Sequence, residues 1–434
     1  MRITNQIIYN NTLNNLNNNK ILEDKLNTQI ATGKKISRPS QDPIVALRAL
    51  RFGTSVNELT QYYDKNIKDA KSFMSITEEA LNNLNDIIEN CMTKITDASN
   101  GYLTESDLDV IFTQLDVLSD EFNEIGNTSY AGRYIFTGFR TDTSLTFKED
   151  TNESFKITQS FSNKDVKNRM VVNVNGESPT ESDIEKVNVN KIKLFYDDLE
   201  SAKIKLDGEI VSFEVITDEN NIDISQNYFN KKTGELIIGS DFDSLEITYQ
   251  KDKFNANDVN PIHLFDCENN GITYTVKDQS MKYDVGHNQN ITVNTQANKL
   301  FNLDLKQSVD ILKQKLEQVK LAKENANNNE VYQKKYNYLK EDLMKLCKEH
   351  ITKFQDIQNK VQIQITDNGS RMNRLDLIEN RVGKQLQTFK ELKSSNEDID
   401  MAEVVTKLSS AQTAYNASLL ASSKILQTSL INYI

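Results

Sequence analysis

The sequence predicts an α+β fold: an elongated rod with long helices entering from both termini and a β-rich segment inserted between them. Three observations carry this expectation. Apolar residues recur at steps of three and four near both ends of the chain, short β-branched runs broken by Gly, Asn and Asp fill residues 150–300, and only four prolines interrupt 434 residues. A chain of this length exceeds one ordinary domain. Its mean hydropathy of -0.58 and lack of Trp suit the thin cores of an extended molecule better than a large sphere.

The first helix is expected over residues 3 to about 32, with Ile3, Ile7, Leu13, Leu16, Leu22, Leu26 and Ile30 along one face. Its other face is rich in Asn, whose side chain competes for backbone hydrogen bonds. Such a helix is marginal alone and needs a partner. Gly33, Pro39 and Pro43 then break the pattern, and Asp42-Pro43 reads as an N-cap followed by proline at the first helical position. This break predicts a hinge at Gly33, Pro39, Asp42 and Pro43.

The next helix carries Ile67, Ala70, Met74, Thr77, Leu81, Leu84, Ile88, Cys91 and Ile95 in alternating steps of three and four, the heptad stripe of long helix-on-helix packing. Thr104 and Asp107 have capping-box spacing at the start of a third helix, marked by Leu108, Ile111, Leu115, Leu118, Phe122 and Ile125. "YAGRYIFTGFRTDTSLTF" then reads as a hairpin or short strands. Strands are expected in "NRMVVNVNG", "AKIKLDGEIVSFEVI", "GELIIGS", "SLEITYQ", "GITYTV" and "QNITVNT". Helical pattern returns near residue 304, breaks at "KENANNNE", and continues to about residue 393. A last helix opens at Asp400 and Glu403, which have capping-box spacing, and carries Met401, Val405, Leu408, Tyr415, Leu419, Leu426 and Tyr433.

Helix first and last, with β structure between, means that the chain goes out and returns. The Pro-Gly segment and "KSSNEDID" then occupy equivalent places in the two arms. The expected division is 1–42 with 396–434 as a pair of terminal helices, 43–148 with 281–395 as a helical domain with a hairpin, and 149–280 as a β-rich domain. Lys424 is the only charged residue after Lys407. A hairpin so lightly charged cannot bury its apolar surface by itself, so it is expected to be disordered in the monomer and to order among copies of itself. The predicted polymer interface is Leu13, Leu16, Leu22, Leu26, Ile30, Met401, Val405, Leu408, Tyr415, Leu419, Leu426 and Tyr433.

The chemistry expected elsewhere is sparse. A net charge of -12 and no clustered basic run argue against nucleic acid. Cys91, Cys267 and Cys347 lie far apart and form neither a disulfide framework nor a metal-ligand pattern, and Cys91 falls in an apolar stripe as a buried thiol. His263, His287 and His350 are scattered, and His350 follows Leu346 in a stripe as a packed histidine. Carboxylate pairs such as Asp241/Asp243 and Asp398/Asp400 read as caps and turns. There is no HExxH, P-loop, GxSxG or EF-hand spacing, so no enzyme and no cofactor are expected. The first residues carry no apolar run, which predicts neither a cleaved secretory signal nor a membrane anchor.

"QIATGKKISRPSQDP" followed by helix resembles the N-terminal signature of bacterial flagellins and their hook-associated relatives. "GSRMNRLDLIENRV" and "DIDMAEVVTKLSSAQTAYNASLLASSKILQTSLINYI" resemble the family's C-terminal segments. The opening "MRIT", "GRYIFTGF", "YDVGHNQNITVNTQANKLF" and the ending "SLINYI" resemble the hook-associated branch at the hook–filament junction. The resemblance covers roughly residues 1–148 and 281–434. It implies a structural subunit of the flagellum that leaves the cell unfolded through the flagellar export channel and acts outside the cell without a cleaved signal. Implied partners are hook-associated protein 1, flagellin, copies of itself in a ring at the junction, and an export chaperone at the C-terminal segment. A filament flagellin, or a secreted adhesin on the same fold, are the alternative roles. The family pattern is departed from in the Asn-rich first helix and in the long stretch 320–350.

Overall fold

In a computed structural model, the structure describes residues 5–174, 184–216, 222–223, 225–239, 242–301, 305–326 and 330–431. The chain divides into two compact units: Met1–Lys68 with Asp284–Gln289 and Asp376–Ile434, and Asp69–Tyr283 with Asn290–Leu375.

The first unit contains helix α1 (Asn5–Thr32), helix α2 (Pro43–Gln61), a π-helical turn (Tyr62–Asn66) and helix α7 (Met401–Ile431). Residues 67–68 of helix α3 (Ile67–Ala98) and the end of helix α6 (Glu330–Glu397) complete it. Asp42 begins α2 as the sequence predicts: its side chain accepts from the amides of Ile44 and Val45, and Pro43 takes the first turn, where no amide is needed. Helix α2 runs antiparallel along the end of α6. The Asn396 amide donates to the Val45 carbonyl, and the rings of Phe52 and Phe389 meet edge-on at 6.3 Å. Gly383 lies so close to Tyr63 that a Cβ there would stand 3.0 Å from the ring.

The second unit is built on α3. Every residue of its predicted stripe, from Ile67 and Ala70 through Cys91 to Ile95, is buried. Facing it in antiparallel sense is α6, where Phe354, Ile357, Val361 and Leu375 are buried and the Asn368 amide donates to the Met74 carbonyl. The α3 helix ends before Thr104, which caps helix α4 (Glu105–Ile125) in a capping box with Asp107. In α4 the phase differs from expectation: Phe112 and Ser119 are buried, whereas Ile111 and Leu118 are half-buried. Two adjacent apolar columns make the stripe wide, and packing against helix α5 (Leu305–Ala326) selects which one faces inward. Of "KENANNNE", residues 323–326 end α5 and Glu330 starts α6, while the expected break at 327–329 lies outside the described residues.

A two-residue hairpin follows α4, β1 (Ser129–Tyr130) against β2 (Arg133–Tyr134). Its turn needs positive φ at Ala131 (49°) and Gly132 (77°), as a tight hairpin matched to strand twist requires. The inserted segment forms two larger sheets. One orders β4 (Lys167–Val174), β5 (Ile184–Lys193), β10 (Glu235–Ile238), β9 (Tyr228–Asn230) and β8 (Glu214–Ile216). The other orders β13 (Ile272–Tyr274), β12 (Asp266–Asn269), β3 (Phe155–Ser162), β11 (Ser244–Lys251), β6 (Ser201–Leu206) and β7 (Glu209–Val211). Their inner faces share one core, to which β11 gives Leu245, Ile247 and Tyr249 and the other sheet gives Ile192, Phe229 and Leu236. A further hairpin joins β14 (Lys282–Gly286) to β15 (Gln289–Thr292). Strands β3 and β5 escaped sequence reading although both carry a period of two, Phe155, Ile157 and Phe161 alternating with polar residues in β3 and Val187 and Val189 with Asn188 and Asn190 in β5.

All three cysteines are free and buried, and burial pushes each thiol up to about 12. They are unreactive packing groups, as the stripe position of Cys91 predicts.

Candidate assembly interface

The two termini pair. Helix α1 ends at Gly33, whose φ of +70° places it in the left-handed region, and its amide closes onto the Gln29 carbonyl at 2.8 Å. Beyond it the two arms of the chain meet. Lys34 and Asp398 form an antiparallel bridge, the Ile399 amide donates to the Gly33 carbonyl at 3.0 Å, and the Lys35 amide donates to the Glu397 carbonyl at 2.7 Å. The Lys34 ammonium lies 2.6 Å from Asp398 and 3.1 Å from Glu397. The hydrogen bond that Lys34 donates to Asp398 raises the Lys34 pKa, and the same bond lowers that of Asp398. Pro39 stands exposed in the connecting loop, where the Gln41 side chain accepts from the Ser37 amide at 2.8 Å. Of the predicted hinge residues, Gly33 and Asp42 thus have defined roles as a C-cap and an N-cap, and Pro43 opens α2.

Helix α7 starts at Asp400, which accepts from the amides of Ala402 and Glu403; Glu403 itself pairs with Lys407 at 2.6 Å. From there α7 runs antiparallel to α1. Their shared core is Leu26, Val404 and Ala411, flanked by Ile30, Ile399 and Leu408. Further along, Asn19 donates to Ser418 at 2.9 Å and Gln412 reaches Glu23 at 3.4 Å. A polar pair on a helix seam fixes register at a cost in stability.

This seam divides the predicted interface. Leu26 is buried, and Leu16, Ile30, Leu408 and Tyr415 are half-buried along the pair. Leu13, Leu22, Met401, Val405 and Leu419 are exposed. Leu426 belongs to α7, but its side chain, like the whole of Tyr433, lies outside the described residues. Sequence reading placed Ala411 only as a small residue filling in the repeat and missed Val404; these two hold the seam with Leu26. The signal that would find them is a stripe at Val404, Leu408, Ala411, Tyr415 and Ser418, in steps of four and three, one residue out of phase with Val405 and Leu419; Met401, seven before Leu408, sits at the edge of that stripe, beyond the covered part. By the helical repeat Val405 and Leu419 lie about 60–100° around α7 from the middle of the seam. The pair therefore carries a second apolar flank that it does not itself cover, with Val405 at 48% and Leu419 at 42% exposure.

The arrangement offers contact area rather than reactive groups. Among the described residues no group of three or more His, Cys, Asp or Glu side chains is placed to hold a metal ion. No helix among the described residues is long and apolar enough to cross a membrane.

Long helices at both termini around a central β-rich segment make a flagellin-like α+β fold, and residues 3–141 match the family described as the bacterial flagellin N-terminal helical region. Among curated proteins the chain is similar to flagellar hook-associated protein 3. It is 32% identical to that of Escherichia coli (strain K12) over 148 residues, which is 33% of this chain and 45% of the relative. It is 31% identical to that of Salmonella typhimurium over 147 residues, with the same shares covered. Flagellin 1 of Proteus mirabilis is 28% identical over 147 residues, covering 34% of this chain and 40% of the relative. The chain thus spans less than half the length of the curated relatives it matches. Among solved structures, a flagellar hook-associated protein from Vibrio parahaemolyticus is 14% identical with a TM-score of 0.43, covering 82% of this chain and all of that one.

Proposed function

We propose that this chain is a structural subunit of the bacterial flagellum that joins hook-associated protein 1 to the flagellin filament at the hook–filament junction. Residues 1–42 and 396–434 are its polymerising part. They assemble with the same helices of neighbouring copies, and the ring so formed presents matching surfaces to the hook side and the filament side. The observation that carries this reading is the uncovered flank of Met401, Val405 and Leu419 beside the α1–α7 seam. A helical pair with that flank in water gains free energy when a neighbouring pair covers it. The kinship with hook-associated protein 3 supports the junction over the filament as its place.

The subunit works outside the cell and reaches its site unfolded, through the flagellar export channel, with the C-terminal segment held by an export chaperone. Residues 43–148 with 281–395 form the helical body of the subunit, and residues 149–280 form its β domain. None of these segments takes part in catalysis.

A strain lacking the gene tests the role directly. Bare hooks, with intact flagellin shed into the culture medium, are expected, because the filament subunit then has nowhere to seat. Loss of flagellin itself would make this chain the filament, and normal filaments would remove the flagellar role.

A further inference from the structure

The second unit holds a cleft of about 460 Å³ between the five-stranded sheet and helices α5 and α6. Its lining runs against the charge of the chain. The protein carries a net charge of -12, yet eight of the lining side chains are Lys or Arg and four are Asp or Glu. Some of these groups already serve one another. Lys191 pairs with Glu235 at 3.6 Å, Lys315 pairs with Asp342 at 2.6 Å, and Arg169 reaches Glu349. Asp165 is engaged in capping Ser162 at 2.8 Å.

Once those groups are accounted for, a set of ammonium groups remains, with one lining carboxylate, Asp356 on α6, among them. Lys164 enters from the 3-10 turn Asn163–Asp165, Lys167 from the start of β4, Lys193 from the end of β5, and Lys360 from α6, two turns beyond Lys353 on the same face. Among the described residues, no carboxylate forms an ion pair with Lys164, Lys167, Lys193 or Lys360. Folding like charges around a concavity costs repulsion and focuses a positive field within it. The imidazole of His350, buried one turn from Lys353, registers that field: burial first, then the charges of Lys353, Arg169 and Lys167, push its pKa down to about 3. The floor is apolar, with Ile192, Leu346 and Ile357.

We propose that this cleft binds a small polyphosphorylated anion, one with at least two phosphate groups. Cations approach from the sheet on one wall and from α6 on the other, and an anion with two phosphate groups has one group for each wall. Lysine is a compact point charge with rotatable donors and suits phosphate oxygens, whereas planar carboxylate recognition favours the arginine fork. The volume falls within the range of about 300–1,000 Å³ typical of small-molecule sites. This inference is independent of the assembly reading, since it concerns the second unit alone.

The test uses the full chain and inorganic pyrophosphate as probe, with sulfate at matched ionic strength as reference. Saturable one-to-one binding by calorimetry is expected, together with a rise in Tm that sulfate does not reproduce. Lys167 and Lys360 are exposed, so the double variant Lys167→Gln, Lys360→Gln is expected to keep the unliganded Tm and to bind pyrophosphate at least tenfold more weakly. Absence of saturable binding, an equal response to sulfate, or unchanged affinity in the variant would overturn the proposal. So would self-association that pyrophosphate leaves intact and the variant abolishes, because the cleft would then receive the acidic surface of a second copy.

Discussion

At the scale of the residue, burial decides which ionisable groups matter. His350 is 1% exposed, its Nδ1 lies 2.8 Å from the Leu346 carbonyl, and its pKa falls to about 3, while burial lowers His263 to about 4. In the unfolded chain both take up a proton near pH 6.5, and in the folded chain neither does until far lower pH. The unfolded state therefore binds more protons below pH 6.5, so stability is complete above that value and falls as pH drops towards the folded values. Between pH 7 and pH 5.5 each group is expected to cost about 1 kcal/mol. Urea unfolding of the wild type and of His350→Leu at both pH values checks this. The variant is expected to lose about half as much on acidification, and an equal loss would mean that His350 is charged in the fold. Glu105 shows the opposite balance. Burial alone would raise its carboxyl, but hydrogen bonds from Lys323 and Tyr336 hold it at about 2 and tie three helices together.

At the scale of the element, the α1–α7 pair is governed by the phase of its stripes. Val404 and Ala411 face the partner helix, and Val405 and Leu419 face water. A charge placed at the exposed pair costs the monomer little, but becomes an unpaired buried charge once a neighbouring copy covers the flank. The double variant Val405→Asp, Leu419→Asp is expected to keep the circular dichroism and melting of the monomer while incorporation into flagella falls by more than tenfold. Fractionated filaments containing the variant at the wild-type level would remove this flank from the interface. Legibility differed between elements for the same reason. The caps at Asp42, Thr104 and Asp400 depend on atoms within three residues, and all three were readable. The buried column of α4 depends on what packs against it, and Ile111 and Phe112 are equally apolar candidates.

At the scale of the whole molecule, the terminal helices and the helices of the second unit differ in how much they bury. The α3 stripe is buried along its length, whereas among the described residues of α1 and α7 the buried apolar side chains are Leu26, Val404 and Ala411. Long helices with so little tertiary support are marginal in water. Amide exchange on the monomer is expected to be at least a hundredfold faster in residues 7–30 and 404–424 than in residues 70–95. Comparable protection in all three stretches would show that the terminal pair is already stable before assembly.

By itself the sequence determined the helix–β–helix order, the caps, the break at Gly33 to Pro43, and the pairing of first helix with last, because each follows from local hydrogen bonding or from a period repeated over many turns. It also pointed to the similarity to flagellar hook-associated protein 3, through short segments near both ends. Only the tertiary structure decided which apolar column each helix buries, how β3 and β5 enter their sheets, and that Lys34 meets Asp398 across the two arms. It alone gathered Lys164, Lys193 and Lys360 around one cleft. These facts depend on groups far apart in the chain, and a periodic pattern fixes the spacing of a stripe but not its partner.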